Sequence, residues 1–156
     1  MTTRDRRAFL QISTAHAHLA ELLDRLLLPV GIAPHLLGLV THVREHQPLT
    51  PTALSAVSGS PQTTLRDNIR RLVDLRLVRR LPNPDDARSY LIELTERGDL
   101  MARAADPALA AGYDALERGL PRRLEDVQQV LAELNDALAG ALASVPSLAA
   151  QPMRDH

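Results

Sequence analysis

The sequence predicts a mainly α-helical fold with a single β-hairpin. Apolar residues make up 45% of the 156 residues but aromatic residues only 2%. The core must therefore consist of Leu, Val, Ile and Ala, of which Leu and Ala favour helices. Several segments repeat apolar residues every three or four positions, whereas only residues 77–81 and 90–94 are expected to be strands. The length fits one domain.

The first two helices are predicted from apolar spacing and from proline. Between Asp5 and Leu28, apolar residues recur at intervals of three and four, and His16 occupies one of these places. The Pro- and Gly-containing segment 29–34 ends this helix. A second helix is expected over about 34–46, because proline suits a first helical turn.

Two short helices follow, each opened by a capping residue and a proline. The pair Thr50-Pro51 starts the first, which ends near residue 57, and Ser60-Pro61 starts the second, over about 61–75. Two short helices joined by a tight turn with Gly59 form a candidate helix-turn-helix.

The turn-forming segment PNPDDARS, residues 82–89, joins the two strands into a hairpin. Thr95 is expected to cap a helix that runs to about Gly119 and that Pro107 should kink or break.

The pair Leu120-Pro121 is expected to open a last helix with its own apolar stripe, and residues 146–156 are expected to form a flexible tail. The stripe consists of Leu124, Val127, Leu131, Leu134, Leu138 and Leu142.

The charge is unevenly divided along the chain. Residues 1–90 hold 12 Arg and 8 acidic residues, a net charge of +4, whereas residues 91–156 hold 6 Arg and 11 acidic residues, a net charge of −5. Such an asymmetry suggests that the first part meets a polyanion.

Composition excludes several classes of function. Without Cys, disulfides and thiolate chemistry are absent. No secretory signal and no run of 18 apolar residues is visible, so we expect a cytoplasmic protein that does not enter a membrane. No phosphate loop, nucleophile arrangement or buried carboxylate pair is recognisable, so we expect neither an enzyme nor a cofactor.

The segment RRLPNPDDARSYLIELTERG, residues 79–98, resembles the wing of the MarR family of bacterial winged-helix transcription regulators. The segments LTPTALS, LRDNIRRLV and GIAPHLLGLV resemble helices of the same family. The resemblance implies one domain over 1–156, with a winged helix-turn-helix over about 34–95. It also implies that helices in 1–28 and 99–145 form a homodimer that presents two recognition helices to a pseudo-palindromic DNA site.

Three positions depart from the pattern of the family. Arg76 stands where the family commonly has Gly in the turn before the first strand, and positive φ would cost an L-residue about 1 kcal/mol there. Ser60 replaces an apolar residue before the recognition helix, and Asp67 replaces a frequent basic residue.

The helix over 61–75 should bury Leu65, Ile69 and Leu72 and turn its polar residues outward. The N-terminal part of a recognition helix faces the bases, so Gln62, Thr63 and Arg66, flanked by Thr64, are candidates for base contacts. Candidates for phosphate contacts are Ser60 at the helix start and Arg70 and Arg71 further along. The alternative is a solvated polar face with ion pairs such as Asp67–Arg70 and Asp67–Arg71.

Residues 66–88 hold seven Arg and four Asp. Arg79 and Arg80 lie at the root of the hairpin, within reach of a DNA backbone. Arg88 near the tip suits a narrow minor groove, and Asp86 can hold it in place. The alternative is an ordinary hairpin with exposed charges.

His16 is either a core histidine or a hydrogen-bond donor in an effector cavity. The resemblance implies a small aromatic acid or phenol as effector, and His16, His35 and His42 are the candidate pocket residues. His42 and His46 have a spacing that can hold zinc, but without Cys or a third ligand we expect no metal site.

The favoured hypothesis is a repressor of transcription that a small aromatic or phenolic effector releases from DNA. The alternatives are a metal-responsive or ligand-insensitive regulator, and a winged helix that contacts only proteins.

Overall fold

The computed structural model describes the backbone of residues 3–144 and the side chains of residues 6–144. The described residues form two compact units, which divide between residues 115 and 116. In chain order, the described elements are α1 (Thr3–Leu27), α2 (Pro34–His46), α3 (Pro51–Ser58), α4 (Gln62–Asp74), β1 (Val78–Pro82), β2 (Tyr90–Leu94), α5 (Glu96–Gly119) and α6 (Leu124–Ser144). The predicted mainly α fold with one hairpin is confirmed.

Two predicted helix caps are present. The hydroxyl of Thr50 accepts a hydrogen bond from the N–H of Ala53 at 3.1 Å at the start of α3. The hydroxyl of Thr95 accepts one from the N–H of Gly98 at 3.0 Å at the start of α5. Each cap satisfies a backbone donor that the first helical turn leaves without a partner.

The start of α4 differs from the prediction, because Ser60 does not cap it. Pro61 occupies the cap position and provides no side-chain hydrogen bond. Ser60 belongs to the preceding turn, where its N–H donates to the hydroxyl of Ser58 and its carbonyl accepts from Ser55 at 2.7 Å.

The later helices correct two further expectations. Of the expected kink or break at Pro107, the break is absent, because α5 continues through this residue. Its side chain is exposed, so water can reach the carbonyl that proline leaves without a donor. The last helix begins at Leu124 rather than at Leu120-Pro121. The expected tail after Pro146 lies outside the described residues.

One apolar core lies in the unit of residues 1–115 and joins α2, α3, α4 and the hairpin. Ile92, in the middle of β2, is fully buried. β2 pairs with β1 in an antiparallel register, with Arg80 opposite Ile92, and Ile92 also forms a bridge to Leu49. Other fully buried members of the core are Val40, Val43, Leu54, Ile69 and Leu72.

A tight junction joins the end of α4 to the start of α5. The carbonyl of Leu77 accepts the N–H of Thr95 at 3.0 Å. The hydroxyl of Thr95 donates to the carbonyl of Arg76 at 2.6 Å. A Cβ on Gly98 would lie 2.0 Å from the carbonyl oxygen of Leu77, so only glycine allows this approach.

Arg76 has a positive φ of 58° although it is not glycine. This backbone conformation costs an L-residue about 1–2 kcal/mol. Two hydrogen bonds hold it in place: the N–H of Arg76 donates to the carbonyl of Val73 at 2.9 Å, and its carbonyl accepts from Thr95. The positive φ that was expected to disfavour an L-residue at this position is therefore adopted by an arginine.

Gly98→Ala should destabilise the fold by several kcal/mol, because the added methyl group meets backbone and the junction must open. Gly38→Ala is the matched control: Gly38 lies in α2 with nothing within 4 Å of a built Cβ, and alanine there should stabilise by up to about 1 kcal/mol. Urea denaturation of both variants measures the difference. If Gly98→Ala and Gly38→Ala are equally stable, the junction at Leu77 accommodates the added methyl group without strain.

Candidate nucleic-acid interface

The amphipathic helix α4 turns one face to the core and the other to solvent. Leu65, Ile69 and Leu72 are buried, as the spacing predicted. The opposite face is exposed and carries the side chains proposed to read DNA, which are Gln62, Thr63, Thr64, Arg66, Arg70 and Arg71. The core thus holds α4 by its apolar stripe and leaves its polar residues available to a partner.

The two arginines at the root of the hairpin lie on opposite faces of it, because neighbouring strand residues alternate. Arg79 forms a salt bridge with Glu93, the cross-strand neighbour, at 2.6 Å. The guanidinium of Arg80 lies over the ring of Tyr90, 4.7 Å from its centroid. The two residues were expected to act alike, but only Arg79 has a carboxylate partner among the described residues.

The turn of the hairpin is held by its own side chains. The carboxylate of Asp86 accepts the N–H of Arg88 at 2.9 Å, and the carbonyl of Asp86 accepts the N–H of Ser89. Asn83 accepts the N–H of Asp85 at 3.1 Å. The backbone around Arg88 is therefore ordered by Asp86, while the side chain of Arg88 is exposed.

A cleft of about 190 Å³ separates the start of α4 from the hairpin. Arg66 and Gln62 line it from α4, and Arg88 lines it from the turn. Two arginines that are 22 positions apart in the sequence therefore face the same space. Three polar side chains that were not predicted also line the cleft. Ser89 and Tyr90 directly follow Arg88 in the chain, whereas tertiary packing brings Thr52 there.

Within residues 6–144, no carboxylate lies within 4 Å of the guanidinium of Arg66, Arg71 or Arg88. Arg70 lies 3.9 Å from Asp67, and both side chains are about three-quarters exposed. Such an exposed pair contributes little and separates easily. This surface therefore offers positive charge to an anionic partner without a large cost for breaking ion pairs.

A separate groove of about 390 Å³ lies between α1 and the start of α2. The side chains that line it include His16, Leu19, Leu23 and Asp24 of α1 and Pro34 and His35 of α2. His16 is exposed within this chain, so it is not a core histidine. The groove thus brings together two imidazoles, a carboxylate and apolar walls.

His42 does not line this groove, contrary to the expected pocket. It follows His35 by seven residues, which is about two turns or roughly 10 Å along α2. His42 instead lies near Glu45 and His46, and one potential ligand atom from each of the three residues falls within 4.8 Å of the others. Glu45 was not predicted as a third ligand, although its spacing from His42 and His46 places it on the same side of the helix.

Among residues 3–144, no helix combines the length and apolar character that crossing a bilayer requires.

Sequence comparisons find relatives of the winged part of the chain. A profile of the MarR family matches residues 31–89. The HTH-type transcriptional repressor NicR of Pseudomonas putida is 34% identical over 65 residues, which are 42% of this chain and 41% of NicR. The match thus spans about two fifths of this curated relative.

Solved structures share the fold over most of the chain. The transcriptional regulator MosR of M. tuberculosis, in complex with DNA, has a TM-score of 0.77 and 25% identity over 86% of this chain and 97% of its own. A mutant of MarR from E. coli complexed with operator DNA has a TM-score of 0.74 and 24% identity over 80% of this chain and 90% of its own. The fold of these proteins is therefore the fold of this chain.

Proposed function

We propose that this chain, whose residues 31–89 match the MarR family profile, is a transcription regulator that binds double-stranded DNA sequence-specifically as a homodimer, in the cytoplasm. We further propose that it is a repressor and that a small aromatic ligand releases it. The observation that carries the proposal is the convergence of Arg66 from α4 and Arg88 from the hairpin on one cleft, both exposed and without a carboxylate partner among the described residues.

The cleft suits one strand of a DNA duplex. A recognition helix occupies the major groove and a wing reaches the adjacent minor groove, so the sugar-phosphate backbone that separates the grooves must run between them. The side chains of Thr52, Ser89 and Tyr90 can donate hydrogen bonds to phosphates there. Arg80, held over the ring of Tyr90, adds positive charge beside the same strand.

In this arrangement, α4 contacts the bases and so determines the sequence preference. The turn of the hairpin anchors the protein in the adjacent minor groove. Arg66 and Gln62 in the first turns of α4 reach base edges, where arginine pairs with guanine and glutamine with adenine. Arg88 enters the minor groove, whose narrow form concentrates negative potential. Arg70 and Arg71 contact phosphates, and Arg79 contributes less because Glu93 neutralises it.

We expect Arg66→Ala to change the preferred DNA sequence and Asp86→Ala to weaken binding to all sequences. A lost bidentate base contact is worth about 1–3 kcal/mol at one position of each half-site. Asp86→Ala removes a negative charge, which by Coulomb attraction alone would strengthen binding, but it also frees the backbone that positions Arg88. Selection from randomised DNA, followed by affinity measurements at fixed salt, tests both expectations.

Asp85→Ala is the matched control, since it removes the same charge from the neighbouring turn residue. The hydrogen bond that the backbone N–H of residue 85 donates to the side chain of Asn83 remains in this variant. Its affinity should equal or slightly exceed that of the wild type. If Asp86→Ala behaves in the same way, the hairpin contributes only charge. An unchanged preferred sequence for Arg66→Ala would contradict the base contact.

Exposed apolar side chains support the proposed homodimer. No residue of α6 is buried within the chain, although its stripe includes Leu131, exposed by 49%, and Leu142, exposed by 78%. On α1, Phe9 and Leu10 are each exposed by 67%. Exposure of several large apolar side chains to water is unfavourable, so a second copy of the chain is the proposed partner.

The double variant Leu131→Glu/Leu138→Glu should convert the dimer into monomers, because it places charges on the proposed interface. Both leucines are already exposed in the single chain, so the fold of each monomer should persist. Gln129→Glu, on the opposite face of α6, is the control and should remain dimeric. Sedimentation velocity gives the masses, and a dimeric double variant would show that α6 lies outside the interface.

The groove between α1 and α2 is the proposed effector site. Its volume falls within the range of small-molecule sites, and its walls combine apolar side chains with a few polar groups. Asp24 disfavours an anionic ligand there unless a histidine is protonated, whereas a phenolic hydroxyl can donate to this carboxylate. We therefore favour a phenol over an aromatic acid.

His16→Ala should weaken binding of a phenolic ligand about three- to tenfold, the effect of one lost hydrogen bond. His18→Ala is the control, because His18 is also exposed on α1 but does not line the groove. Calorimetric titration of both variants with phenol and with benzoate measures the effect and the preference. Equal affinities for the two variants would place the effector elsewhere.

A further inference from the structure

The last turn of α2 carries a compact set of metal-ligating side chains that the proposed DNA contacts and effector groove do not use. His42, Glu45 and His46 follow the pattern i, i+3, i+4, so the helix places all three on one side. One potential ligand atom from each lies within 4.8 Å of the other two. Arg44, in the same turn, points away and pairs with Asp99 and Asp106 of α5.

The structure prepares His46 to bind through one defined nitrogen. Its Nδ1 lies 3.0 Å from the carbonyl oxygen of His42. A carbonyl can only accept, so Nδ1 carries the proton and the lone pair of Nε2 is available. Metal-bound histidines commonly have this arrangement, in which the second nitrogen donates to a backbone carbonyl and fixes the ring.

His42 contributes a second, independent observation. Within the described part of the chain, its Nδ1 is a buried nitrogen without a hydrogen-bond partner. An unpaired buried polar atom is costly, and coordination to an ion is one way in which proteins satisfy it. The ring centroids of His42 and His46 lie 6.3 Å apart, so their nitrogens can approach one ion from neighbouring turns.

The charge of the surroundings also favours a cation. The three residues occupy the C-terminal turn of α2, where unpaired carbonyls give the helix a partial negative charge. Glu45 adds a full negative charge. Two imidazoles and one carboxylate form a ligand set used by zinc, which then keeps a fourth position for water.

We propose that His42, Glu45 and His46 bind a divalent transition-metal ion, with zinc as the best match. Ligand atoms around tetrahedral zinc lie roughly 3.4 Å apart, given bond lengths of about 2.0–2.1 Å. Side-chain rotation of the exposed Glu45, with a small adjustment of the two histidine rings, closes the remaining distance. A bound ion holds the end of α2 beside Gln47, whose side chain accepts the N–H of Leu94 at 2.7 Å.

The test uses the full chain, stripped of metal and titrated with zinc chloride against a chelating dye. The wild type should bind one zinc ion per chain and melt at a higher temperature when zinc is present. His46→Gln and Glu45→Gln should each lower the zinc affinity at least about tenfold and abolish the thermal shift. Both residues are exposed, so these variants should fold, which circular dichroism verifies.

His35→Gln is the matched control, because it removes a histidine from the same face of the same helix, outside the cluster. It should bind zinc as the wild type does. Absence of zinc binding by the wild type, or wild-type binding by His46→Gln, would overturn the proposal. Loss of zinc in His35→Gln to the same extent would place the ion at the other end of α2. None of the substituted residues is a proposed DNA contact, so failure here leaves the proposed regulator function unaffected.

Discussion

The buried carbonyl of Leu77 is the constraint on which the geometry of the proposed DNA-binding surface depends. Leu77 lies in the short turn between α4 and β1, directly before β1, and its carbonyl accepts the N–H of Thr95 just before α5. Gly98 then packs its Cα against the same oxygen. These contacts of the Leu77 carbonyl fix the directions in which α4, the hairpin and α5 extend from the junction. The unfavourable φ of Arg76 persists because hydrogen bonds at this junction hold it.

This junction explains how two distant segments form one charged surface. Arg66 belongs to a helix anchored by its apolar stripe, and Arg88 belongs to a turn organised by Asp86. Neither segment determines where the other lies, but the short connection through Leu77 does. A shift of about 1 Å there would alter the width of the cleft between α4 and the hairpin, and with it the spacing of groove contacts. The relative position of Arg66 and Arg88 therefore depends on a buried backbone contact rather than on the arginines themselves.

The sequence was sufficient where structure is determined locally. Caps at Thr50 and Thr95 and the apolar stripe of α4 were predicted, because each depends on residues within one or two turns. Prediction failed where a competing local bond decided the outcome, as at Ser60, whose groups are used by the turn between α3 and α4.

Other features depend on register or on tertiary contact. The different surroundings of Arg79 and Arg80 follow from the pairing of β1 with β2, and a shift by one residue would exchange the two faces. Thr52 and Tyr90 line the same cleft although they are far apart in the sequence, and no sequence pattern indicates this. Glu45, in contrast, lies between His42 and His46 at helical spacing, so the sequence alone contains this third candidate ligand.

Helix α2 connects the features that this chain would need for regulation. Its first residues, Pro34 and His35, line the groove against α1, and its last turn leads through Gln47 into the segment that pairs with β2. Buried side chains along its length, such as Val40 and Val43, pack it into the same core as α4. A close-packed helix moves as a unit, so a ligand that displaces its start also displaces its end. Under the proposed function, the effect of such a ligand on DNA binding would be limited to the difference in its affinity for the two positions of α2, for which about 1–3 kcal/mol is usual.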